Sequence, residues 1–245
     1  MTAKNSLMIG LTLVLTSLSA LAQTTYNGNG NGGFGGPVGN GSLTLRDDGA
    51  SLTFTFNAAS SLGGNDLVIY IDSIGGGYSS TAGFMDAADG GRSAVSGYTS
   101  NGNSGGSGQS ILNFTTGFLP DYASDIQSGY ASLFGLNNGG NSSLNYITGA
   151  SQSGSSPYTL TVPLLDLGLT PGAAQSFELF GSLVSETGYR SNEALPGNVT
   201  GSQGWGNLVT QTGFETYIST VPEPSSLALA GFSGLATFFA IRRRR

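Results

Sequence analysis

Carboxylates are the main reactive side chains in this sequence, because the chain contains no histidine and no cysteine. Those two absences exclude Ser-His-Asp and Cys-His catalysis and the usual zinc sites. Paired carboxylates hydrolyse glycosidic bonds when they lie about 5–10 Å apart. Asp66 and Asp72 fall at opposite ends of one predicted strand, about 20 Å apart at ~3.3 Å per residue, which is too far. The sequence therefore predicts a protein that is not an enzyme, although a carboxylate pair assembled across strands stays open.

The same acidic residues could hold calcium, which takes six to eight oxygen ligands. Asp86 and Asp89 are followed by two glycines, a loop composition that can wrap an ion. No EF-hand spacing is present. Calcium at Asp86 and Asp89 is therefore one hypothesis, solvated acidic loops are its alternative, and no other cofactor is expected. The wider set of candidate aspartates is Asp66, Asp72, Asp86, Asp89, Asp121 and Asp125.

Aromatic residues in glycine-rich segments form a second candidate group. Trp205 is the only tryptophan and stands between two glycines, and Tyr189 and Tyr98 lie in similar loop-like segments. Aromatic side chains on loops of a rigid scaffold commonly serve recognition. We predict Trp205, Tyr189 and Tyr98 as ligand-binding residues, the alternative being that the rings fill gaps between loops and core. Arg190 and Glu193 are predicted to form a local ion pair.

Short alternating runs predict the strands that must position these groups. Leu52, Phe54 and Phe56 alternate with threonines, which is typical of a half-buried strand. Residues 66–74 are apolar on both faces, which predicts a central strand covered on both sides. Weaker strand candidates lie at 42–45, 111–114, 144–148, 158–162, 177–183 and 214–218.

One segment, 120–136, is predicted as a helix. Tyr122, Ile126 and Tyr130 follow i, i+4 spacing, and Asp121 is a plausible N-terminal cap. The opposing signal is Gly129, which interrupts the pattern.

The pattern as a whole predicts an all-β fold, with an antiparallel β-sandwich or jelly-roll-like domain over 41–219 and glycine-rich loops. No fixed repeat is visible, which excludes a solenoid or propeller. Residues 23–40 are rich in glycine and asparagine and are predicted to be a flexible leader or an irregular first edge. A long-looped acidic sandwich looks like the carbohydrate-binding modules and DOMON-type domains of secreted proteins, at the level of fold alone.

The N-terminus has the three parts of a signal peptide. Lys4 precedes an apolar run at 7–21, and Ala20-Leu21-Ala22 is a small-x-small cleavage pattern. We predict a signal peptide at 1–22, removal by signal peptidase and a mature chain that begins at Gln23.

The C-terminus predicts a membrane anchor. Pro222, Glu223 and Pro224 precede an apolar stretch at 225–241, which as a helix would be about 26 Å long, near the short limit for a membrane span. The chain closes on a basic cluster that would stay on the cytoplasmic side. The cluster consists of Arg242, Arg243, Arg244 and Arg245.

This tail, at 220–245, resembles the bacterial PEP-CTERM sorting signal in its Pro-Glu-Pro motif, apolar span and basic end. The resemblance implies recognition by an exosortase-type processing enzyme and cleavage near the motif. It also implies an inner-membrane-anchored precursor that is delivered to the cell surface or an extracellular polysaccharide matrix. The alternative is an ordinary anchor that is never processed.

The net charge of the region between the two signals excludes a further class of protein. Between the two signals, three arginines stand against thirteen acidic residues, a formal net charge of −10. A nucleic-acid partner is therefore not expected. The sequence favours an exported, non-enzymatic surface or matrix protein that is adhesive or binds exopolysaccharide. The alternatives are a hydrolase acting on exopolysaccharide and a structural coat protein without a ligand.

Overall fold

The computed structural model of this chain describes residues 22–99 and 108–219. These residues form fourteen strands, one short α-helix, α1 (Gly90–Ser96), and two 3₁₀ turns, Thr81–Gly83 and Leu164–Leu167. The strands are β1 (Ala22–Asn27), β2 (Ser42–Asp47), β3 (Ser51–Asn57), β4 (Asn65–Asp72), β5 (Ile111–Asn113), β6 (Tyr122–Ile126), β7 (Tyr130–Gly135), β8 (Asn145–Ser151), β9 (Tyr158–Pro163), β10 (Gln175–Ser185), β11 (Arg190–Ala194), β12 (Asn198–Gly201), β13 (Leu208–Gly213) and β14 (Glu215–Ser219).

The strands make three sheets. An outer sheet has the order β1-β2-β3-β9, and a central sheet has the order β11-β10-β4-β6-β7-β8, with β14 also paired to β10. A small sheet has the order β12-β13-β5, in which β13 and β5 are parallel. Of the described residues, 47% are in strands and 7% in helices, and the other strand pairs are antiparallel, which is consistent with the predicted all-β sandwich.

Two hydrophobic cores lie on the two faces of the central sheet. The first packs the central sheet against the outer sheet, through residues such as Phe54, Phe56 and Leu160. The second packs it against the small sheet and α1, through residues such as Phe180, Leu112 and Val95. The central sheet is therefore covered on both faces.

Strand β4 lies in the middle of the central sheet, between β10 and β6. Leu67, Ile69 and Ile71 belong to the first core, whereas Val68 and Tyr70 belong to the second. Successive side chains of a strand point to opposite faces, so a strand between two cores must be apolar throughout. The prediction of a doubly covered strand is confirmed, as is the burial of Leu52, Phe54 and Phe56 on β3.

The six weaker strand predictions also coincide with strands, namely β2, β5, β8, β9, β10 and β14. The predicted helix at 120–136 is wrong. The segment is a hairpin of β6 and β7 that turns at Gly129, whose φ is +99°. A spacing of four residues fits a helix and also keeps side chains on one face of a strand, so Tyr122, Ile126 and Tyr130 did not distinguish the two. Asp121 caps no helix, and its carboxylate accepts a hydrogen bond from Ile74 N at 3.2 Å.

Of the two alternatives predicted for residues 23–40, the structure favours the first edge over the flexible leader, because β1 is the edge strand of the outer sheet. Strand β1 pairs with β2 along its whole length, from Ala22 opposite Asp47 to Asn27 opposite Ser42. The loop that follows is hydrogen-bonded to β11, as described below. Long-range contacts therefore order a segment whose composition alone predicts flexibility.

Several predictions concern parts of the chain outside the described residues. These are the signal peptide up to residue 21, the C-terminal hydrophobic helix, the sorting motif and the terminal arginines. Within 22–99 and 108–219, no helix has the length and apolar character needed to cross a membrane.

Candidate functional site

Three aromatic rings lie in contact at one end of the domain, and we call them the Trp205 patch: Trp205, Tyr189 and Phe34. The Trp205 ring meets the Tyr189 ring edge-on, with centroids 5.1 Å apart and an interplanar angle of 87°. The Tyr189 and Phe34 centroids are 5.5 Å apart. All three side chains are half-buried, so each ring keeps a solvent-facing part.

Local backbone geometry places Trp205 in the patch. Gly204 adopts φ of +90°, and a Cβ at this position would lie 2.5 Å from the Tyr189 ring, so glycine is required here. Gly204 N donates to Arg190 O at 3.1 Å, and the indole Nε1 donates to Thr187 O at 3.0 Å. These contacts tie the tryptophan loop to the β10–β11 hairpin.

Amide side chains border the rings. The Cβ position of Gly33, the residue before Phe34, is 2.5 Å from Asn192 Oδ1 and 3.3 Å from Gln203 Oε1. Asn192 Oδ1 is buried and has no hydrogen-bond partner among the described groups. The solvent-facing parts of the three rings have the chemistry to bind a sugar ring, with the C–H groups of the sugar against the aromatic faces.

Glu193 holds the Phe34 side of the patch in place. Its fully buried carboxylate accepts four backbone hydrogen bonds, at 2.7–3.0 Å. The donors are the N–H groups of Phe34, Gly36, Val38 and Gly39. Successive backbone N–H groups that converge on one anion form a binding concavity. We call this arrangement the Glu193 anchor; it is what orders the glycine-rich loop after β1.

The predicted ion pair between Arg190 and Glu193 is wrong. They lie three positions apart on β11, so their side chains leave opposite faces of the strand. Arg190 is fully buried in the second core, where Nε donates to Ser110 O and Nη2 donates to Tyr70 Oη and Val95 O, at 2.7–3.1 Å.

Tyr98 lies beside the Trp205 patch. Its backbone forms an isolated antiparallel β-bridge with Gln109. The carbonyl oxygen of Gln109 accepts a hydrogen bond from Gly206 N at 3.0 Å. The Gly97–Tyr98 backbone also packs against Gly188, the residue before Tyr189. The three predicted ligand-binding aromatics, which are far apart in the sequence, are thus brought to neighbouring segments.

Asp86 and Asp89 both have protein partners. Asp86 is fully buried and accepts from the backbone N–H groups of Ala88, Ser142 and Leu144 at 2.8–3.1 Å. Asp89 caps α1 by accepting from Arg92 N at 2.9 Å, and the Arg92 guanidinium pairs with both carboxylates. Among the described residues, no cluster of three or more acidic side chains is arranged to hold a metal ion. Calcium binding at Asp86 and Asp89 stays a prediction.

The structure brings together a different carboxylate pair, Asp66 on β4 and Asp125 on β6. Both are fully buried on the α1 side of the central sheet. Burial raises the pKa of Asp125 to about 7, and burial and then the negative charge of Asp125 raise the pKa of Asp66 well above its usual value. The raised pKa favours the protonated, neutral form of Asp66, which is less costly to bury without an N–H donor. We call these residues the aspartate pair.

Helix α1 closes over the aspartate pair. A Cβ at Gly91 would lie 2.5 Å from Asp125 Oδ2, so only glycine allows the helix to approach this closely. Gln127 Nε2 donates to the same oxygen at 3.1 Å. The aspartate pair is thus shielded from solvent. The sequence contained no local signal for it, because the two residues are 59 positions apart and meet only through strand pairing.

The C-terminal tail, residues 220–245, matches the PEP-CTERM protein-sorting motif. The match covers the segment that contains Pro222, Glu223 and Pro224 and the basic cluster, and confirms the resemblance seen in the sequence. No curated protein and no solved structure was found to match this chain.

The PEP-CTERM tail implies an exported protein that is targeted to an exosortase. It also implies a precursor anchored in the membrane before delivery to the outside of the cell.

Proposed function

We propose that this chain is a non-enzymatic protein of the cell surface or extracellular matrix, which binds an uncharged polysaccharide through the Trp205 patch. The observation that carries the proposal is the contact of Trp205, Tyr189 and Phe34 at one end of an exported β domain. Grouped solvent-facing aromatic surface marks recognition sites on soluble proteins.

The negative net charge of the domain favours an uncharged ligand over an anionic one. The region between the two signals carries a formal net charge of −10, so an anionic polymer would be repelled at long range. The nearest arginine in sequence, Arg190, is fully buried beneath the patch. Hydroxyl groups and C–H faces of a neutral sugar match what the patch offers.

The burial of the aspartate pair supports a non-enzymatic role. A glycosidase needs two carboxyl groups that reach opposite sides of a bound glycosidic bond. Asp66 and Asp125 are fully buried, and Gly91 covers Asp125, so substrate has no access to this pair.

Trp205→Ala is expected to weaken polysaccharide binding by more than ~1 kcal/mol, about fivefold or more, which is the scale of one aromatic contact. The melting temperature should stay almost unchanged, because the indole is half-exposed and its single hydrogen bond is at the surface. Binding can be measured by co-sedimentation with insoluble polysaccharides, and stability by thermal melting. Leu165→Ala is the control, since Leu165 is 69% exposed and lies at the other end of the domain. A strongly lowered melting temperature with unchanged binding would make Trp205 a core residue.

The PEP-CTERM tail is expected to be removed near Val221. Replacing Pro222, Glu223 and Pro224 together by alanine should block this removal, so intact mass spectrometry of the protein from its native host should find Arg245 retained. Alanine at Ser225 and Ser226, which follow the motif, is the control. Recovery of unaltered chain from surface material with Arg245 still present would contradict processing.

A further inference from the structure

A cavity opens beside the first turn of α1, at the end of the central sheet that also carries the Trp205 patch. Its volume is about 300 Å³, at the lower end of the range for small-molecule sites. We call it the tyrosine pocket. Its walls are the first turn of α1 and the exposed faces of β7 and β8, and its principal lining residues are Tyr130, Tyr146, Phe134, Ser132, Gln127 and Asp89.

Aromatic surface dominates one side of the tyrosine pocket. Tyr130 is 39% exposed and Tyr146 is 46% exposed, and their hydroxyl oxygens are 2.9 Å apart. Tyr146 also meets the Phe134 ring edge-on, with centroids 6.0 Å apart. The Tyr130 hydroxyl lies over Gly149 of β8. The two tyrosines are therefore positioned by neighbouring strands, while large parts of their rings face water.

Polar groups line the other side. Gln127 donates Nε2 to Asp125, which fixes the amide and leaves Oε1 as its acceptor. Ser132 is the cross-strand partner of Asp125 and adds a hydroxyl. Gln127 thus supplies an acceptor that is held in place by the buried Asp125, and Ser132 supplies a hydroxyl in the lining.

The charges in the tyrosine pocket exclude an anionic ligand. Arg92 is engaged by Asp86 at 3.2 Å, by Asp89 at 2.9 Å and by Leu144 O at 3.1 Å. The Asp89 side chain is 54% exposed. The lining therefore presents a carboxylate and no unpaired cation, and the surrounding charge repels anions.

We propose that the tyrosine pocket is a second carbohydrate site, which takes one uncharged sugar ring against Tyr130 and Tyr146. The choice of ligand class rests on the polysaccharide binding proposed above. Tyr189 adjoins β11 and Tyr130 begins β7, four strand spacings away at the same end of the central sheet, or about 19 Å. One polysaccharide chain can therefore engage both sites, which raises the apparent affinity without a new contact.

The test is an NMR titration of the full-length chain labelled at the tyrosine rings, with glucose, galactose, maltose and cellobiose as probes. Tyr130→Phe, Tyr146→Phe and Tyr189→Phe assign the three signals. At least one sugar should shift the Tyr130 and Tyr146 signals in a saturable manner. Tyr146→Ala should weaken that binding about tenfold, as expected for loss of one ring contact, and should leave the Tyr189 response unchanged.

The outcomes separate the two proposals. If none of the four sugars shifts the Tyr130 and Tyr146 signals, the proposal of a sugar site in the tyrosine pocket is wrong, whatever the Tyr189 signal does. This result is obtained with the unmutated chain, so it does not depend on the folding of a variant. Unchanged binding in Tyr146→Ala also overturns it. A response of the pocket tyrosines without a response of Tyr189 supports the pocket and removes support from the Trp205 patch.

Discussion

Glu193→Ala is expected to lower the free energy of unfolding by at least about 3 kcal/mol. Its carboxylate accepts four backbone hydrogen bonds in a fully buried setting, and each hydrogen bond to a charged group contributes about 1.5–3 kcal/mol. Removing the acceptor leaves four N–H groups without a partner. Part of this cost is offset because the glycine-rich loop can move and meet water. The loss remains a large fraction of the stability of an ordinary domain.

Urea denaturation of the variant measures this loss directly. Glu193→Gln should fall between the variant and the native chain, because the amide keeps one acceptor oxygen but brings an NH₂ group against the backbone N–H groups. Glu215→Ala is a matched control, since Glu215 is exposed and its loss should change stability by no more than about 0.5 kcal/mol. A loss below about 1 kcal/mol in Glu193→Ala would contradict the anchoring role.

The same variant links stability to binding. Phe34 N donates to Glu193 at 2.7 Å, and Phe34 contacts Tyr189 in the Trp205 patch. Release of the loop should therefore weaken polysaccharide binding even under conditions where the domain stays folded. Protease cleavage within residues 28–40 should increase in parallel.

Stability is expected to fall as the pH rises from about 4 to about 7, because of the aspartate pair. An unfolded aspartate titrates near 3.8, whereas burial raises the pKa of Asp125 to about 7 and that of Asp66 well above its usual value. Between these limits the folded state binds more protons than the unfolded state. The stabilisation is therefore complete below the unfolded pKa and is lost as the pH rises through the folded pKa. At about 1.4 kcal/mol per unit, the change from Asp125 alone is on the order of 4 kcal/mol.

The surroundings of the aspartate pair shift the pKa of Asp125 in both directions. Asp89 and Glu186 add negative charge nearby and raise the pKa of Asp125 further, whereas Gln127 donates a hydrogen bond that lowers it. Arg190, the nearby buried cation, lies behind Tyr70, whose hydroxyl accepts from it at 2.7 Å. Burial outweighs these contributions.

Asp125→Asn provides the test by thermal or urea denaturation at pH 4 to 8. The amide removes one titrating group and can donate to Asp66, so the decline in stability with pH should become shallower. The variant should be more stable than the native chain at pH 8 and similar to it at pH 4. Asp166→Asn, which removes the same formal charge from a half-exposed position, should keep the native slope. An equal slope in Asp125→Asn would show that another group controls the pH dependence.

The sequence by itself determined several of the strands and the sorting signal. Period-2 alternation marked β3, and an apolar run on both faces marked β4 as a doubly covered strand. These predictions succeeded because burial of a strand face depends on local side-chain pattern. The PEP-CTERM tail was recognisable for a similar reason, since its motif, span and basic end are adjacent in the chain. The tail alone implied export.

Only the tertiary structure decided which side chains meet. The four-residue spacing of apolar side chains at 120–136 was compatible with both a helix and a strand, and only the pairing of β6 with β7 shows that the segment is a hairpin. Glycine-rich composition suggested a free leader, but the carboxylate of Glu193, more than 150 residues away, binds that loop. The aspartate pair and the Trp205 patch likewise join residues that are distant in sequence. Such contacts depend on strand order and register, and no local pattern of residues encodes them.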